Sequence, residues 1–364
     1  MNPRFTFYKG RSPSASPAPG GWLIALAGVI VVVVIFFRMR DGSFDWGRFA
    51  ATLYQVDWSW LTASILLILL TYFIRALRWE VMLRPSGAHP GIRALTYDTA
   101  IGFTASALLG RVGEVVRPYL ISVSAGVSFS SQLAAWLLER ILDLLSILLL
   151  FGFALLRASA RRSQIGPELE RLLSVGGYLA GIFGFVFIIL LVAFRNFSDF
   201  AERRVLSALR VLPDKYYEQS VKLLTSLARG LDATRDPRLL GLLVFYTVLL
   251  WGAIVGSYYM LFHSFRAITG LSMTDVIVIL GFMGFGSIVQ LPGVGGGLQI
   301  VCILCLTKIY GVPLEIATGI AIFIWLLTFV VVVPFGMLCA AHEGWNWRKI
   351  RQLAIQPAPE EEPL

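Results

Sequence analysis

The chain has 364 residues, of which 57% are hydrophobic and only 15% charged, with a mean hydropathy of +0.75 and a net charge of +9. Soluble domains are roughly half apolar and a quarter charged, so this excess marks an integral membrane protein and excludes a cytosolic enzyme, a secreted disulfide scaffold and a nucleic-acid-binding protein. In a membrane chain the Lys/Arg surplus reports topology and contact with anionic lipid.

In chain order, residues 1–20 form a Pro/Ser/Gly-rich tail expected to be disordered. A transmembrane domain is expected over 21–340. Its full spans are 21–37, 58–74, 129–156, 172–194, 239–262 and 314–340, each near the ~20 residues that cross the hydrocarbon layer. No small-residue cleavage site follows the first run, so it reads as a mature helix. Two further apolar stretches are interrupted. One, 94–122, is broken by Gly110-Arg111-Val112-Gly113-Glu114 and by Arg117-Pro118; the other, 274–308, by Leu291-Pro292-Gly293-Val294-Gly295-Gly296-Gly297. Clustered Gly and Pro cannot continue a helix cheaply. Non-helical backbone at membrane depth survives only against protein or a water-filled cavity. Both stretches therefore read as re-entrant hairpins, each two half-helices meeting at a polar bend. The fold class is all-α: a polytopic bundle of six spans and two broken hairpins. Residues 341–364 form a second tail.

With the N-terminus inside, the inside segments carry 19 Lys/Arg and the outside segments 9. That fits a bacterial-type inner membrane protein with both termini cytoplasmic. The long inside loop 195–238 is amphipathic, with Phe197, Phe200, Val205, Leu206 and Leu209 near helical spacing, and suits the inner leaflet surface.

The two hairpins align without gaps at an offset of 182, pairing Gly102/Gly284, Phe103/Phe285, Leu109/Leu291, Val112/Val294 and Gly113/Gly295. Each is followed by a Gly-Val pair that opens a long span. The repeat halves are about 58–156 and 239–340. Three spans separate the hairpins, an odd number, so the repeat is inverted. In secondary transporters that arrangement marks the substrate site.

Charges at membrane depth are costly and usually functional. Arg111, Glu114 and Arg117 sit at the first bend; Glu139, Arg140 and Asp143 sit inside the third span. The second bend offers backbone N–H groups from Gly293 to Gly297, a turn suited to an anion at a helix N-terminus. Arginines facing such a turn suit a phosphate, bound between Arg111, Arg117 and the glycine run. The bland alternative pairs Arg111, Arg117 and Arg140 with Glu114, Glu139 and Asp143, three against three, as a structural lock. Arg75, Arg78 and Trp79 read as a snorkelling and aromatic anchor at a span exit, or as accessory site residues. Cys302, Cys305 and Cys339 lie in apolar runs and read as helix packing. His89, His263 and His342 lack metal-ligand spacing, and the glycine run is not a P-loop, so no catalytic motif, metal site or cofactor is expected.

These residues together resemble the lysylphosphatidylglycerol synthase transmembrane-region family of flippase-like membrane proteins. The resemblance is carried by Arg75-x-x-Arg78-Trp79, Leu109-Gly110-Arg111-Val112-Gly113-Glu114-x-x-Arg117, Glu139-Arg140-x-x-Asp143 and Leu291-Pro292-Gly293-Val294-Gly295-Gly296, over roughly 20–340. It implies a bundle related to the flippase half of a protein that moves aminoacylated phosphatidylglycerol between leaflets. Family members with aminoacyltransferase activity carry a large soluble domain after the membrane part; only about 24 residues follow position 340 here. The family commonly has an acidic residue after the glycine run where this chain has Gln299. The expected function is translocation, or assistance in translocation, of an anionic phospholipid or lipid-linked phosphate. A lipid-linked transferase and a scaffold for lipid-synthesis enzymes are the alternatives.

Overall fold

The computed structural model describes residues 44–160, 221, 232–268, 270–287, 290–291 and 295–343. The expected spans 21–37 and 172–194, most of loop 195–238, residues Pro292 and Gly293, the N-terminal tail and nearly all of the C-terminal tail lie outside the described residues.

The described chain is an all-α bundle. A short helix, α1 (Trp46–Tyr54), precedes α2 (Trp58–Leu83); α3 (Ile92–Leu109) and α4 (Val116–Ala125) are joined by a 3-10 turn, Gly110–Val115; α5 is Phe129–Ala160. After the undescribed stretch come α6 (Pro237–His263), α7 (Met273–Gly286), α8 (Gly297–Lys308), α9 (Leu314–Trp325) and α10 (Val332–His342). A π-helical turn, Leu326–Val330, links α9 to α10. Helix starts follow capping chemistry. Asp57 accepts from Ser59 N at 2.9 Å and Asp236 from Arg238 N at 2.8 Å, while Ser272 and Asp275 form a reciprocal capping box on α7. Three stretches, Trp58–Ser86, Pro237–His263 and Leu314–His342, are long and apolar enough to cross a membrane. Helix α5 is longer still but carries Glu139, Arg140 and Asp143 within its length.

Both interrupted stretches are hairpins. In the first, Gly102 lies against Arg117 and Gly113 against the backbone of Ala105 and Ser106, so α3 and α4 run antiparallel. The absence of a Cβ at Gly113 is what permits that approach. In the second, Gly286 backs onto the Gly297 carbonyl, and Tyr310 Oη lies 3.3 Å from Asp275 Oδ1. The bends differ in kind. The first is the 3-10 turn; the second closes with a two-residue antiparallel ribbon, Gln290–Leu291 against Gly295–Gly296. The ribbon's first strand contacts the 3-10 turn, so the two bends meet.

The offset of 182 recurs in the elements. Shifted by that amount, α2 falls on 240–265 against α6, α3 on 274–291 against α7, α4 on 298–307 against α8, and α5 on 311–342 against α9 to α10. Gly126 and Gly311, with φ of 64° and 65°, end the two hairpins in matching left-handed turns. Helices α2 and α6 cross antiparallel: Ser64 Oγ donates to Ser257 O at 2.8 Å, and Ser257 Oγ returns to Ser64 O at 2.9 Å. The hairpins then pack crosswise. Helix α3 lies on α10, with Gly336 against Ala100 and Thr104, and α7 lies on α5, with Gly281 and Gly284 against Leu150 and Ile147.

Candidate functional site

The centre of the first half is ionic. Glu139 and Asp143, one turn apart on α5, face α2 and α4. Arg78, fully buried on α2, donates from Nη2 to Glu139 Oε1 at 2.5 Å and from Nη1 to Asp143 Oδ1 at 2.8 Å. The same Nη1 lies 3.3 Å from Thr247 Oγ1 on α6. Arg117 on α4 grips Glu139 with both terminal nitrogens, one of them at 3.1 Å from Oε1. Arg75, one turn before Arg78, lies 3.5 Å from Asp143 Oδ2 and 3.6 Å from Glu139 Oε1. Arg140 Nη2 is 3.5 Å from Asp143 Oδ2 and 3.9 Å from Glu139 Oε2. Four guanidiniums thus surround two carboxylates. Nε of Arg78 and Nε of Arg140 are buried and find no hydrogen-bond partner among the described residues.

Aromatic rings hold the arginines in place. The Arg117 guanidinium lies 4.4 Å from the Trp79 ring centroid and 5.1 Å from that of Phe103; Arg75 is 4.8 Å from Phe103. Trp79 is itself fixed, donating from Nε1 to Gln132 Oε1 at 2.8 Å. The reading of Arg75, Arg78 and Trp79 as an interfacial anchor is overturned. Helix α2 continues past residue 74 to Leu83, and Arg78 and Trp79 are fully buried within it. Apolar Val81, Met82 and Leu83 after Trp79 were the signal in the sequence that the span does not end at Arg75.

A cavity of about 170 Å³ opens beside this cluster. Arg117 and Arg140 supply its cationic side and Glu114, from the 3-10 turn, a carboxylate. Gly102, Phe103 and Ser106 of α3 and Trp136 of α5 also line it from the first half. Thr328, in the π-turn, and Val332 close it from the other half. Sequence reasoning missed Thr328, Trp136 and Tyr72, which also lines the cavity: an uncharged residue in an apolar run carries no mark of a pocket. π-turns recur at functional sites because they break the regular helix ladder.

The remaining expected residues lie elsewhere. Arg111 is exposed on the 3-10 turn and takes no part in the Glu139–Asp143 cluster's ion pairs among the described residues. The three-against-three pairing accordingly changes membership: Arg75 and Arg78 enter, and Glu114 stands in the cavity wall rather than in an ion pair. Gly295 and Gly296 are strand residues of the ribbon and Gly297 opens α8. The Gly296 N–H donates to Gln299 Oε1 at 2.8 Å, so Gln299 caps α8 and one donor of the glycine run is already engaged.

The two broken hairpins, the crosswise packing and the long apolar helices define a polytopic α-helical membrane protein. The chain belongs to the lysylphosphatidylglycerol synthase TM region family, whose model matches residues 22–336. No curated protein and no solved structure was found to match it.

Proposed function

We propose that this protein translocates, or helps to translocate, a lipid with a phosphate-bearing head group between the leaflets of a bacterial-type inner membrane, with both termini cytoplasmic. The observation that carries the reading is the charge imbalance beside the cavity: Arg75, Arg78, Arg117 and Arg140 against Glu139 and Asp143. Buried charge is costly unless compensated, and an anion in the cavity supplies the missing compensation. Guanidiniums suit phosphate because they offer paired donors in one plane. The cavity draws walls from both halves, the place where alternating access needs a shared ligand. Family membership supports a role in lipid modification or transport.

The test is lipid movement in proteoliposomes. Arg140→Gln is the informative variant, since Arg140 is the cavity arginine least committed to the carboxylates, with a third of its side chain exposed. Loss of one charge-assisted bond, about 1.5–3 kcal/mol, should slow transport of a phosphate-bearing lipid roughly tenfold or more without unfolding the protein. A folded Arg140→Gln protein that moves the lipid at the normal rate contradicts the reading.

A further inference from the structure

The stretch Leu314–His342 is one apolar run of span length, yet it is built as two helices with a joint between them. At the joint the Val331 N–H donates to Leu326 O at 3.0 Å, five residues back instead of four. Just beyond it, Pro334 has no N–H to return to the Val330 carbonyl. The helical ladder is thus loosened twice over 326–334. The two pieces also belong to different cores. Ile320, Ile324 and Leu327 pack with Ile279 and Met283 of α7 and Cys302 of α8. Val332, Cys339 and Ala340 pack instead with Ala100 and Ala105 of α3 and Leu120 of α4. Helix α10 is locked onto α3: Thr104 Oγ1 donates to Val332 O at 3.3 Å, and Gly336 has no room for a Cβ beside Ala100 and Thr104.

The matching span of the first half has no such break. Shifted by 182, the π-turn falls on 144–148 and Pro334 on Gly152, both inside the uninterrupted helix α5. Helix α5 changes partners along its length as well. Leu138 and Leu142 pack with Trp79 and Ile121, whereas Leu148 and Phe151 pack with Phe282 and Phe285 of α7. Of two spans that pass from one core to another, one is therefore stiff and the other jointed. Proline and a π-turn are recognised causes of a bend in a helix, and both are present only in the second. Thr328 lies in the joint and lines the same cavity as Arg140. We propose that the π-turn is a hinge: α10 moves with the first hairpin, α9 stays with the second-half core, and the movement changes the width of the cavity between Thr328 and Arg140. The hinge rests on the translocation reading for the use made of the movement, not for the movement itself.

The experiment measures distances in the full chain in lipid nanodiscs by pulsed electron paramagnetic resonance. Spin labels carried on a genetically encoded keto amino acid leave Cys302, Cys305 and Cys339 untouched. One pair, at Ile322 and Leu338, spans the joint; the other, at Arg93 and Leu338, stays within α3 and α10, and all three positions are exposed. The distance distribution across the joint should be about twice as wide as the other. Pro334→Ala restores the missing donor, so it should narrow the first distribution to the width of the second. The same variant should slow movement of acyl-chain-labelled phosphatidylglycerol in proteoliposomes about fivefold. Gly152→Ala, whose Cβ meets open space on α5, should change neither. Equal widths in the native protein overturn the hinge, whether or not the proline variant folds. A folded Pro334→Ala protein that keeps the native widths overturns it too. If that variant narrows the distribution but moves lipid at the normal rate, the link between hinge and cavity is wrong while the translocation reading stands. If the distances behave as expected and the native protein moves no lipid, the hinge stands and the translocation reading fails.

Discussion

Arg117 and Gln299 occupy the same place in the two hairpins, separated by the offset of 182, near the start of the second half-helix. Arg117 reaches across to Glu139 on the next long helix, while Gln299 turns back to cap its own backbone at Gly296. The difference extends through both halves. The positions matching Arg75, Arg78, Glu139 and Asp143 are Ser257, Met260, Ala321 and Trp325. Around them the second half packs an apolar core that includes Leu261, Phe262, Ile279, Cys302, Ile320 and Ile324. Helix lengths, hairpin reversals and small-residue crossings are therefore shared, while among the described residues the buried cluster of Arg75, Arg78, Arg117, Glu139 and Asp143 lies in the first half. An inverted repeat needs matching backbones to cross symmetrically. It does not need matching side chains, because a single cavity can take its charge from one half and a neutral wall from the other.

The sharpest way to break this comparison is topological. Single cysteines at Ser124 and Lys308, exposed at the ends of the two hairpins, should label from opposite faces of the membrane, all or none. Labelling of both from one face removes the inversion.

The next largest contrast lies in the matched pair itself. Arg117→Ala strands Glu139 among fewer partners and should destabilise the protein by about 3–5 kcal/mol, the range for breaking a buried ion pair. Gln299→Ala removes only a cap and should cost about 1 kcal/mol. Thermal unfolding in detergent measures both, and similar losses would mean the halves are energetically alike. Gly113→Ala should fall between these, about 1–3 kcal/mol, since its Cβ would lie 2.6 Å from Ser106 N.

Where the halves do match, substitutions should match too. Gly126→Ala and Gly311→Ala meet open space, so each should cost only the left-handed backbone penalty, about 1–2 kcal/mol, and the two values should agree. Smallest is Ser64→Ala at the α2–α6 crossing, about 0.6 kcal/mol, the average for a polar contact between membrane helices.

Much of this architecture is legible in the amino-acid sequence because its causes are local. Apolar runs of span length, Gly-Pro clusters that no helix tolerates, and paired Gly-Val exits at Gly126 and Gly311 locate the helices, the bends and the repeat without knowledge of any contact. The glutamate and aspartate on α5 stand out for the same reason, as charges inside an apolar run. Tertiary structure decided the rest. Whether Arg75 and Arg78 leave the membrane or turn inward depends on how far α2 continues and which neighbour its face meets, and Glu139 and Asp143 reach it only through the packing of α5. Arg111 and Arg117 look equivalent in sequence, yet one is exposed on the 3-10 turn and the other, on α4, is buried against Trp79. Thr328 joins the cavity because a π-turn and the crosswise packing of α10 on α3 bring it there from the opposite half of the chain. Proximity between residues more than 180 positions apart is a property of the packed bundle, and local patterning carries no record of it.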